Sequence, residues 1–283
     1  MSKLNKLPVL VAYPYLIDSM AEVLVKHENR CELLLDSGAF TAMNTGKPID
    51  LDNYINFLRT TSLKIWRYFV LDVVGDAVKS KENYYAMLDA GLNPIPIITR
   101  GADDKEIEEY YETSDLIGIG GLNMPNKKIF IRAFMKKAKG RKVHWLGHTQ
   151  MPMLKRYKPY SVDSSGYTAG ARYAQVPIYL GGGREKTIKR KTFAKDCTPQ
   201  IKRLIERLGF NPEAFLKEKS WAGGASLALE LSAANAVART LDIRQHLGTR
   251  NFLASAVPAQ TEILFQQHRK QIKQIKHETS RNL

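Results

Sequence analysis

Short apolar runs alternate with helical segments along the first 166 residues of this chain. The runs are mostly aliphatic and lack a strict polar–apolar alternation, as expected for parallel strands buried on both faces. Segments with helical spacing, such as SMAEVLVKH and LDNYINFLRTT, lie between them. This alternation predicts an α/β fold with a parallel sheet. The seven runs are PVLVAYPYL (8–16), ELLLDSG (32–38), YFVLDVVGD (68–76), PIPIITRG (94–101), LIGIGGL (116–122), KVHWLGHT (142–149) and YSVDSSG (160–166).

Six of these runs end in a polar or glycine-rich turn. Polar groups at the carboxyl ends of successive parallel strands are typical of the active-site face of a (β/α)8 barrel. A doubly wound sheet also collects ligands there, but no nucleotide-binding glycine pattern is present. We therefore predict a TIM-type (β/α)8 barrel in which the eighth strand is modified or hard to identify. The turns are Asp36-Ser37-Gly38, Asp72, Thr99-Arg100-Gly101, Gly120-Gly121, Gly147-His148 and Asp163-Ser164-Ser165.

The strand–helix rhythm stops after about residue 175. QVPIYLGGGREKTIKRK predicts a hairpin with a glycine turn, and TPQIKRLIERLGFNPEAFLKEK predicts two helices. Together they form a predicted hairpin and helical insertion over 175–220. A long alanine-rich helix over 222–248 would close the barrel, followed by a basic tail over 261–283. Because the sequence contains no internal repeat or low-complexity linker, the simplest interpretation is one domain over 1–283.

The net charge of +15 is the most unusual property of the composition. Such an excess favours a polyanionic partner, because phosphate neutralisation dominates nucleic-acid affinity; the alternative is a soluble protein that is merely basic. From Leu116 to Arg184 there are thirteen Lys and Arg residues and one acidic residue, Asp163. The predicted nucleic-acid-binding residues are Lys142, Lys155, Arg156, Lys158, Arg172, Arg184, Lys186, Lys189, Arg190 and Lys191.

Several protein classes are disfavoured. No apolar run approaches the roughly 20 residues of a membrane span, and the N-terminus does not resemble a signal peptide. Two cysteines, Cys31 and Cys197, cannot build a disulfide framework or a four-thiolate zinc site. His144 and His148 have no carboxylate beside them in the sequence, and no zinc or calcium motif is present. We therefore expect no metal, no cofactor, no membrane association and a reducing cytoplasm, that of a host cell if the protein is phage-encoded.

Three carboxylates are candidates for chemistry. Asp163 and Asp36 both follow an apolar run and precede a serine-containing turn. At the carboxyl ends of barrel strands they could act as a nucleophile and an acid/base group. Asp72 could accept hydrogen bonds from N1–H and the exocyclic amine of a guanine-like base. The alternative for each is a local Asx turn or helix cap, an assignment that suits Asp76 in particular.

Five motifs resemble, in kind and order, those of the tRNA-guanine transglycosylase superfamily. That family has an Asp-Ser-Gly-Gly-Tyr/Phe-Gln turn, an aspartate ending the next strand, an Ile-Gly-Gly-Leu turn, a Met-Gly loop and a nucleophilic aspartate in Phe-Asp-Cys. The resemblance spans roughly residues 8 to 175. The corresponding motifs here are DSGAF (36–40), FVLD (69–72), GIGGL (118–122), HWLGH (144–148) and VDSSGYTAGAR (162–172).

The resemblance implies a role for each matched position. Asp163 would be the nucleophile that attacks C1′ of the target nucleoside, and Asp36 the acid/base group. Phe40 and Leu146 would sandwich the base. Thr99 or Arg100 falls near a base-binding glutamine of the family. The implied base-binding residues are Asp72, Ser37, Phe40, Gly120, Gly121, Leu122, Leu146 and Gly147.

The sequence also departs from the family. Its cysteine-rich zinc subdomain is absent, and residues 185–220 are basic and helical instead. The segment before Asp36 is short, so one family strand would be missing. A zinc-free, strongly basic relative is most similar to the phage-type 7-deazaguanine DNA transglycosylases, which replace guanine in DNA with a preQ0-type base. The alternatives are a transglycosylase acting on tRNA, a hydrolase that only releases guanine, and a non-catalytic nucleic-acid-binding barrel; a homodimer is left open.

Overall fold

The computed structural model describes residues 4–99, 102–122, 124–223 and 226–281. The chain divides into two compact units. We call residues 8–164 with 249–256 the barrel unit, and residues 1–7, 165–248 and 257–283 the hairpin unit. That the two units make up one domain, as the sequence suggested, stays a prediction.

The strands of the barrel unit are short, and six of them fall largely within a predicted apolar run. In chain order the strands of the described chain are β1 (Leu7–Ala12), β2 (Cys31–Asp36), β3 (Ile65–Tyr68), β4 (Ile97–Ile98), β5 (Leu116–Ile119), β6 (Lys142–Trp145), β7 (Ser161–Ser164), β8 (Gln175–Gly181), β9 (Arg184–Lys189) and β10 (Arg250–Ala254). Eight of them form one sheet in the order β3-β2-β1-β10-β7-β6-β5-β4. The paired strands run parallel, as predicted. β3 overlaps its predicted run (68–76) only at Tyr68, because the rest of the strand lies before that run and not within it.

The sheet curls so that its two outer strands are linked. Val70 N donates to Ile95 O at 3.0 Å and Ile95 N donates to Tyr68 O at 2.8 Å, joining the residues after β3 to those before β4. This arrangement is consistent with the predicted (β/α)8-like barrel. Apolar residues that include Leu34, Phe69 and Phe252 form a core cluster between the strands.

The eighth strand of the sheet is β10, which the sequence analysis did not identify. It pairs with β1 through Val9 and Leu253 and with β7 through Phe252 and Asp163. Five residues that follow a long helix carry little periodic signal of their own. Their strand conformation is stabilised by hydrogen bonds to two strands that are remote in sequence.

Three helices of the barrel unit begin at a capping aspartate. Asp50, Asp76 and Asp103 each accept a hydrogen bond from the backbone N–H three residues later, which confirms the cap assignment for Asp76. The α-helices are α1 (Asp18–Lys26), α2 (Ala39–Thr45), α3 (Leu51–Thr60), α4 (Ala77–Asp89), α5 (Asp104–Thr113), α6 (Lys127–Ala138), α7 (Met151–Tyr157), α8 (Ala169–Tyr173), α9 (Phe193–Asp196), α10 (Pro199–Arg207), α11 (Leu227–Leu247) and α12 (Pro258–Arg281). Short 3-10 segments cover Tyr13–Tyr15, Glu28–Arg30, Gly166–Thr168, Arg190–Thr192, Pro212–Leu216 and Glu218–Trp221.

The amino ends of the barrel strands carry charged groups in matched pairs. Arg250, the first residue of β10, donates to Glu32 at 2.9 Å. Its guanidinium also lies over the rings of Trp66 and Tyr160, at 5.0 and 4.5 Å from their centroids. The charge of Arg250 is therefore neutralised by Glu32, and its guanidinium packs against two aromatic rings.

The hairpin unit contains the antiparallel β8–β9 hairpin, which confirms the predicted hairpin with a glycine turn. Tyr179 of β8 holds the hairpin on α11, since its N–H donates to Asn235 at 2.8 Å and its hydroxyl donates to Asp242 at 2.6 Å. Apolar residues from the hairpin and the surrounding helices form a separate core cluster, which includes Val176, Ile188, Phe193, Phe215 and Trp221. In the part of the chain that the structure describes, no helix has the length and apolar character needed to cross a membrane.

Candidate active site

Three carboxylates lie at the carboxyl ends of barrel strands. Asp36 is the last residue of β2, Asp163 is the third residue of the four-residue β7, and Asp72 follows β3. The carboxyl ends of parallel barrel strands open on the same face. The charges of both Asp72 and Asp163 contribute to raising the pKa of Asp36, so the three groups are close enough to interact. The structure thus brings together the three acids that the sequence singled out.

Asp36 is held by the turn that follows it. Its Oδ1 accepts a hydrogen bond from Gly38 N at 2.6 Å. Gly38 has a φ of +86°, and a Cβ there would lie 2.4 Å from Pro14 Cδ, so only glycine fits. Burial, opposed by the Gly38 hydrogen bond and reinforced by the other two carboxylates, raises the pKa of Asp36 to about 7. The local-turn alternative is therefore correct for its contact with Gly38, but this carboxyl also has the pKa of an acid/base group.

Asp72 lies beside Ser37, another of the residues predicted to bind the base. Ser37 Oγ donates to Asp72 Oδ1 at 3.2 Å. Burial raises the pKa of Asp72 to about 6, although the Ser37 hydrogen bond acts in the opposite direction. A cavity of about 230 Å³ adjoins Asp72 and is also lined by Ile97, Thr99 and Glu106. Asp72 therefore presents a carboxylate to a space that a small ligand can enter.

Asp163 is held by the neighbouring strand and not by its own turn. Its Oδ1 accepts from Gly147 N at 2.9 Å and lies 3.1 Å from His144 Nε2. Both of these contacts come from β6 and the turn after it, and not from the residues that follow Asp163. The side chain of Asp163 is 14% exposed, whereas that of His144 is fully buried. Asp163 is thus bound through Oδ1, while part of its side chain remains exposed to solvent.

His144 contacts Asp163, although the sequence analysis assigned this histidine no role. Its Nδ1 lies 2.8 Å from Ser161 Oγ, so Ser161, His144 and Asp163 form a continuous hydrogen-bonded chain. His144 and Ser161 are also register partners across β6 and β7. The sequence places no carboxylate beside His144, but the strand pairing does.

A Ser–His–Asp chain also occurs in hydrolases with a nucleophilic serine. Here Ser161 is completely buried, so a substrate cannot reach its hydroxyl. The exposed end of the chain is Asp163, which makes the carboxylate the group that can meet a substrate.

Two predicted base-binding glycines lie in the turn after β5. A Cβ on Gly120 would lie 3.3 Å from Ile97 Cγ2 and 3.6 Å from Thr99 Cγ2, two residues that line the cavity beside Asp72. Gly121 has a φ of +68° with open space at its Cβ position. Leu122 is buried. A larger residue at position 120 would crowd the wall of this cavity.

The two residues predicted to sandwich the base lie in different environments. Phe40, on α2, is 60% exposed. Leu146, directly after β6, is partly buried against the core cluster that contains Phe69. Gly147 supplies the N–H that binds Asp163. Thr99 lines the cavity beside Asp72, while Arg100 lies outside the described residues.

The predicted nucleic-acid contacts of the barrel unit fall into two groups. Lys155, Arg156 and Lys158 are exposed at the end of α7. Lys142, by contrast, is the first residue of β6 and forms an ion pair with Asp115 at 2.6 Å. Asp115 also forms an ion pair with Arg67 at 2.8 Å. The structure therefore places Lys142 at the amino ends of the strands, opposite the three carboxylates.

The remaining predicted basic residues lie in the hairpin unit. Arg172, Arg184, Lys189 and Lys191 are exposed. Lys186 pairs with Asp196 at 3.6 Å, and Arg190 pairs with Glu218. An open pocket of about 560 Å³ is lined by Lys189, Arg190 and Lys191 together with the exposed ring of Tyr173. An aromatic ring among cations suits a single-stranded nucleic acid.

Among the described residues, no group of three His, Cys, Asp or Glu side chains is arranged to hold a metal ion. The absence of a cofactor stays a prediction. No protein-family model, curated protein or solved structure matches this chain. The resemblance to the transglycosylases therefore depends on the motifs alone.

Proposed function

We propose that this protein is a base-exchange transglycosylase that replaces guanine in DNA with a 7-deazaguanine base of the preQ0 type. The observation that carries the proposal is that two neighbouring carboxylates have different surroundings. Oδ1 of Asp163 is bound by Gly147 N and by the buried His144, whereas Asp36 is held by Gly38 N of its own turn and burial raises its pKa to about 7. A nucleophile and an acid/base group need this difference.

In the first step, an oxygen of Asp163 attacks C1′ of the target nucleoside. The C1′–N9 bond breaks, its electron pair leaves with guanine, and protonated Asp36 supplies a proton to the departing base. The result is an ester between Asp163 and the sugar. A pKa of about 7 lets Asp36 carry that proton near neutral pH.

In the second step, the incoming base attacks C1′ through N9 and gives its proton to ionised Asp36. The ester bond breaks and its electron pair returns to Asp163. Two displacements retain the configuration at C1′, and each step balances without an oxidant or reductant. The same two carboxylates serve both steps, with Asp36 alternating between acid and base.

Recognition of the base is assigned to Asp72. An ionised carboxylate accepts from N1–H and the exocyclic amine of guanine, and both groups are also present in 7-deazaguanines. Its position beside a cavity and its bond to Ser37 support this role.

Exposed basic side chains such as Lys155 and Arg156 supply phosphate contacts. DNA is proposed over tRNA because the sequence lacks the cysteines of the family's zinc subdomain. The segment predicted to be helical over 185–220 instead begins with strand β9, which is followed by short helical segments. To reach C1′ and the base in duplex DNA the target must be flipped out, or the substrate must be single-stranded.

Exchange on tRNA is the first alternative, and a barrel that binds nucleic acid without chemistry is the second. The raised pKa values of Asp36 and Asp72 weigh against the second, because a binding module gains nothing from three mutually repelling acids facing a polyanion. A hydrolytic variant would share the first step and differ in the acceptor.

An exchange assay tests the proposal. Guanine-containing DNA, single-stranded and duplex, and a matched tRNA are incubated separately with the protein and labelled preQ0, and label retained by each polymer is counted. Label in DNA alone is the expected result. Label in tRNA alone supports the alternative substrate, and guanine release without label supports hydrolysis. Binding of both polymers with neither release nor label contradicts the proposed chemistry.

A further inference from the structure

The two hydrogen bonds to Asp163 converge on one of its oxygens. Gly147 N at 2.9 Å and His144 Nε2 at 3.1 Å both meet Oδ1. Among the described residues, no hydrogen bond to Oδ2 is found. The side chain is 14% exposed, so the carboxylate is held through one oxygen and remains partly accessible.

Building on the proposed function, we propose that His144 is a positioning residue that anchors Asp163 through Oδ1 and leaves Oδ2 to attack and later release the sugar. The position of the proton on the imidazole follows from its two neighbours. A carboxylate oxygen has no proton to donate, so the hydrogen must be on Nε2. In the neutral ring with this tautomer, Nδ1 is the acceptor for Ser161 Oγ–H, 2.8 Å away.

The surroundings of His144 keep the ring in this orientation. It is fully buried, with the rings of Phe69 and Phe252 at centroid distances of 5.1 and 6.2 Å. It is also paired in register with Ser161. The ring therefore cannot turn away from Asp163 without losing its contact with Ser161 and its packing between two aromatic side chains.

The binding of Asp163 through Oδ1 has a consequence for each chemical step. When Oδ2 bonds to C1′, Oδ1 becomes the carbonyl oxygen of the ester and keeps both N–H donors. When the ester breaks, negative charge returns to the carboxylate, and the donors stabilise that charge more than they stabilise the neutral ester. Loss of His144 should therefore slow the second step more than the first, and the covalent adduct should accumulate.

Two variants separate this role from simple packing. Gln at position 144 can present an N–H near the position of Nε2, whereas Phe fits between Phe69 and Phe252 without any donor. We expect His144→Phe to lower exchange turnover by about 10- to 100-fold, the range for a hydrogen bond to a charged group. We expect His144→Gln to keep most of the turnover.

The readout is the fraction of enzyme bound covalently to DNA during turnover, measured on denaturing gels at saturating incoming base. The inference predicts that this fraction rises in His144→Phe and stays close to wild type in His144→Gln. Equal turnover in all three proteins would overturn it. Equal losses in both variants without adduct accumulation would also overturn it and would leave His144 a packing residue.

A second measurement does not depend on activity. In protein labelled with 15N-histidine, the ring nitrogen shifts of His144 report which nitrogen carries the proton, with the His144→Gln spectrum identifying its signals. The expected form is protonated at Nε2, and Ser161→Ala should increase the form protonated at Nδ1. A wild-type ring with its only proton on Nδ1 refutes the anchor. A wild-type protein that exchanges no base refutes the proposed function instead, whatever the NMR result.

Discussion

The two ends of the barrel unit handle charge in opposite ways. At the amino ends of the strands, Glu32 pairs with Arg250, and Asp115 pairs with both Arg67 and Lys142. At the carboxyl ends, Asp36, Asp72 and Asp163 have no ion pair with a Lys or Arg among the described residues, in a chain of net charge +15. Cations are abundant, so their absence from this group is specific to the site.

The pKa values follow this difference. Asp115 lies beside Lys142 and Arg67, and these cations lower its pKa. Burial raises the pKa of Asp36 to about 7 and that of Asp72 to about 6. Charge at the first end contributes to stability, whereas uncompensated charge at the second end costs stability, a pattern that is typical of functional sites.

The largest expected effect belongs to Asp163. Asp163→Asn keeps the shape of the side chain but removes the nucleophile, so base exchange should fall by about 10³-fold or more. DNA binding, measured by fluorescence anisotropy, should remain close to wild type because the phosphate contacts are elsewhere. Exchange at a wild-type rate would contradict the nucleophile assignment.

Asp36→Asn should come next, with a loss of about 10²- to 10⁴-fold, the usual contribution of a general acid/base. The pH profile is the more specific test. The acid form of Asp36 is needed to release guanine, so kcat/KM should decline as pH rises through about 7. The ionised form of Asp72 is needed to bind the base, so kcat/KM should also decline as pH falls through about 6. Residual activity of Asp36→Asn that keeps the alkaline limb would argue against Asp36 as the acid.

The same substitution should stabilise the fold at high pH. The pKa of Asp36 rises from 3.8 to about 7 on folding, so in that interval the folded state keeps a proton that the unfolded state has lost. Stability from this group is complete below the lower value and declines as pH rises through the window. Asp36→Asn should therefore be more stable than wild type at pH 8 by about 1–2 kcal/mol, with little gain at pH 4. Urea unfolding at both pH values measures the difference.

A smaller effect is expected at Asp72. Asp72→Asn replaces one acceptor oxygen with an amide donor facing N1–H, so KM for the incoming base should rise by about 10- to 100-fold. Affinity for DNA should change little. Competition between labelled preQ0 and other purines checks the assignment, and an unchanged base preference would count against it.

The amino end supplies the contrasting case. Arg250→Met removes the partner of Glu32 but keeps an apolar side chain against Trp66 and Tyr160, and should cost about 1–3 kcal/mol of unfolding free energy. Exchange per folded molecule should be unchanged, because this end holds no site residue. Glu32→Gln with Arg250→Met should recover part of the loss. If Arg250→Met lost activity without losing stability, the amino ends of the strands would contribute to the site, and the contrast between the two ends would be wrong.

The sequence predicted the parts of this site that follow from strand direction. Because the carboxyl ends of parallel strands share one face, Asp36, Asp72 and Asp163 could be placed together before the fold was known. The same rule would have placed Lys142 at the other end, since it is the first residue of its apolar run. That signal was available and was overlooked in favour of the basic composition around it.

Other features depend on pairing that the sequence does not state. His144 reaches Asp163 because β6 and β7 align it with Ser161, and register between strands leaves no local signature. β10 escaped notice for a similar reason, since RNFLA becomes a strand through its neighbours β1 and β7. Local propensity is therefore least informative where the site is assembled from two strands.

The central claim is that Asp163 carries the sugar during exchange. The most direct measurement incubates the protein with guanine-containing DNA without an incoming base, quenches with denaturant, and maps any DNA-modified peptide by mass spectrometry. The account predicts a single adduct on Asp163, absent in Asp163→Asn and lost when preQ0 is added before the quench. An adduct on Asp36, or active exchange without any adduct on Asp163, would contradict it.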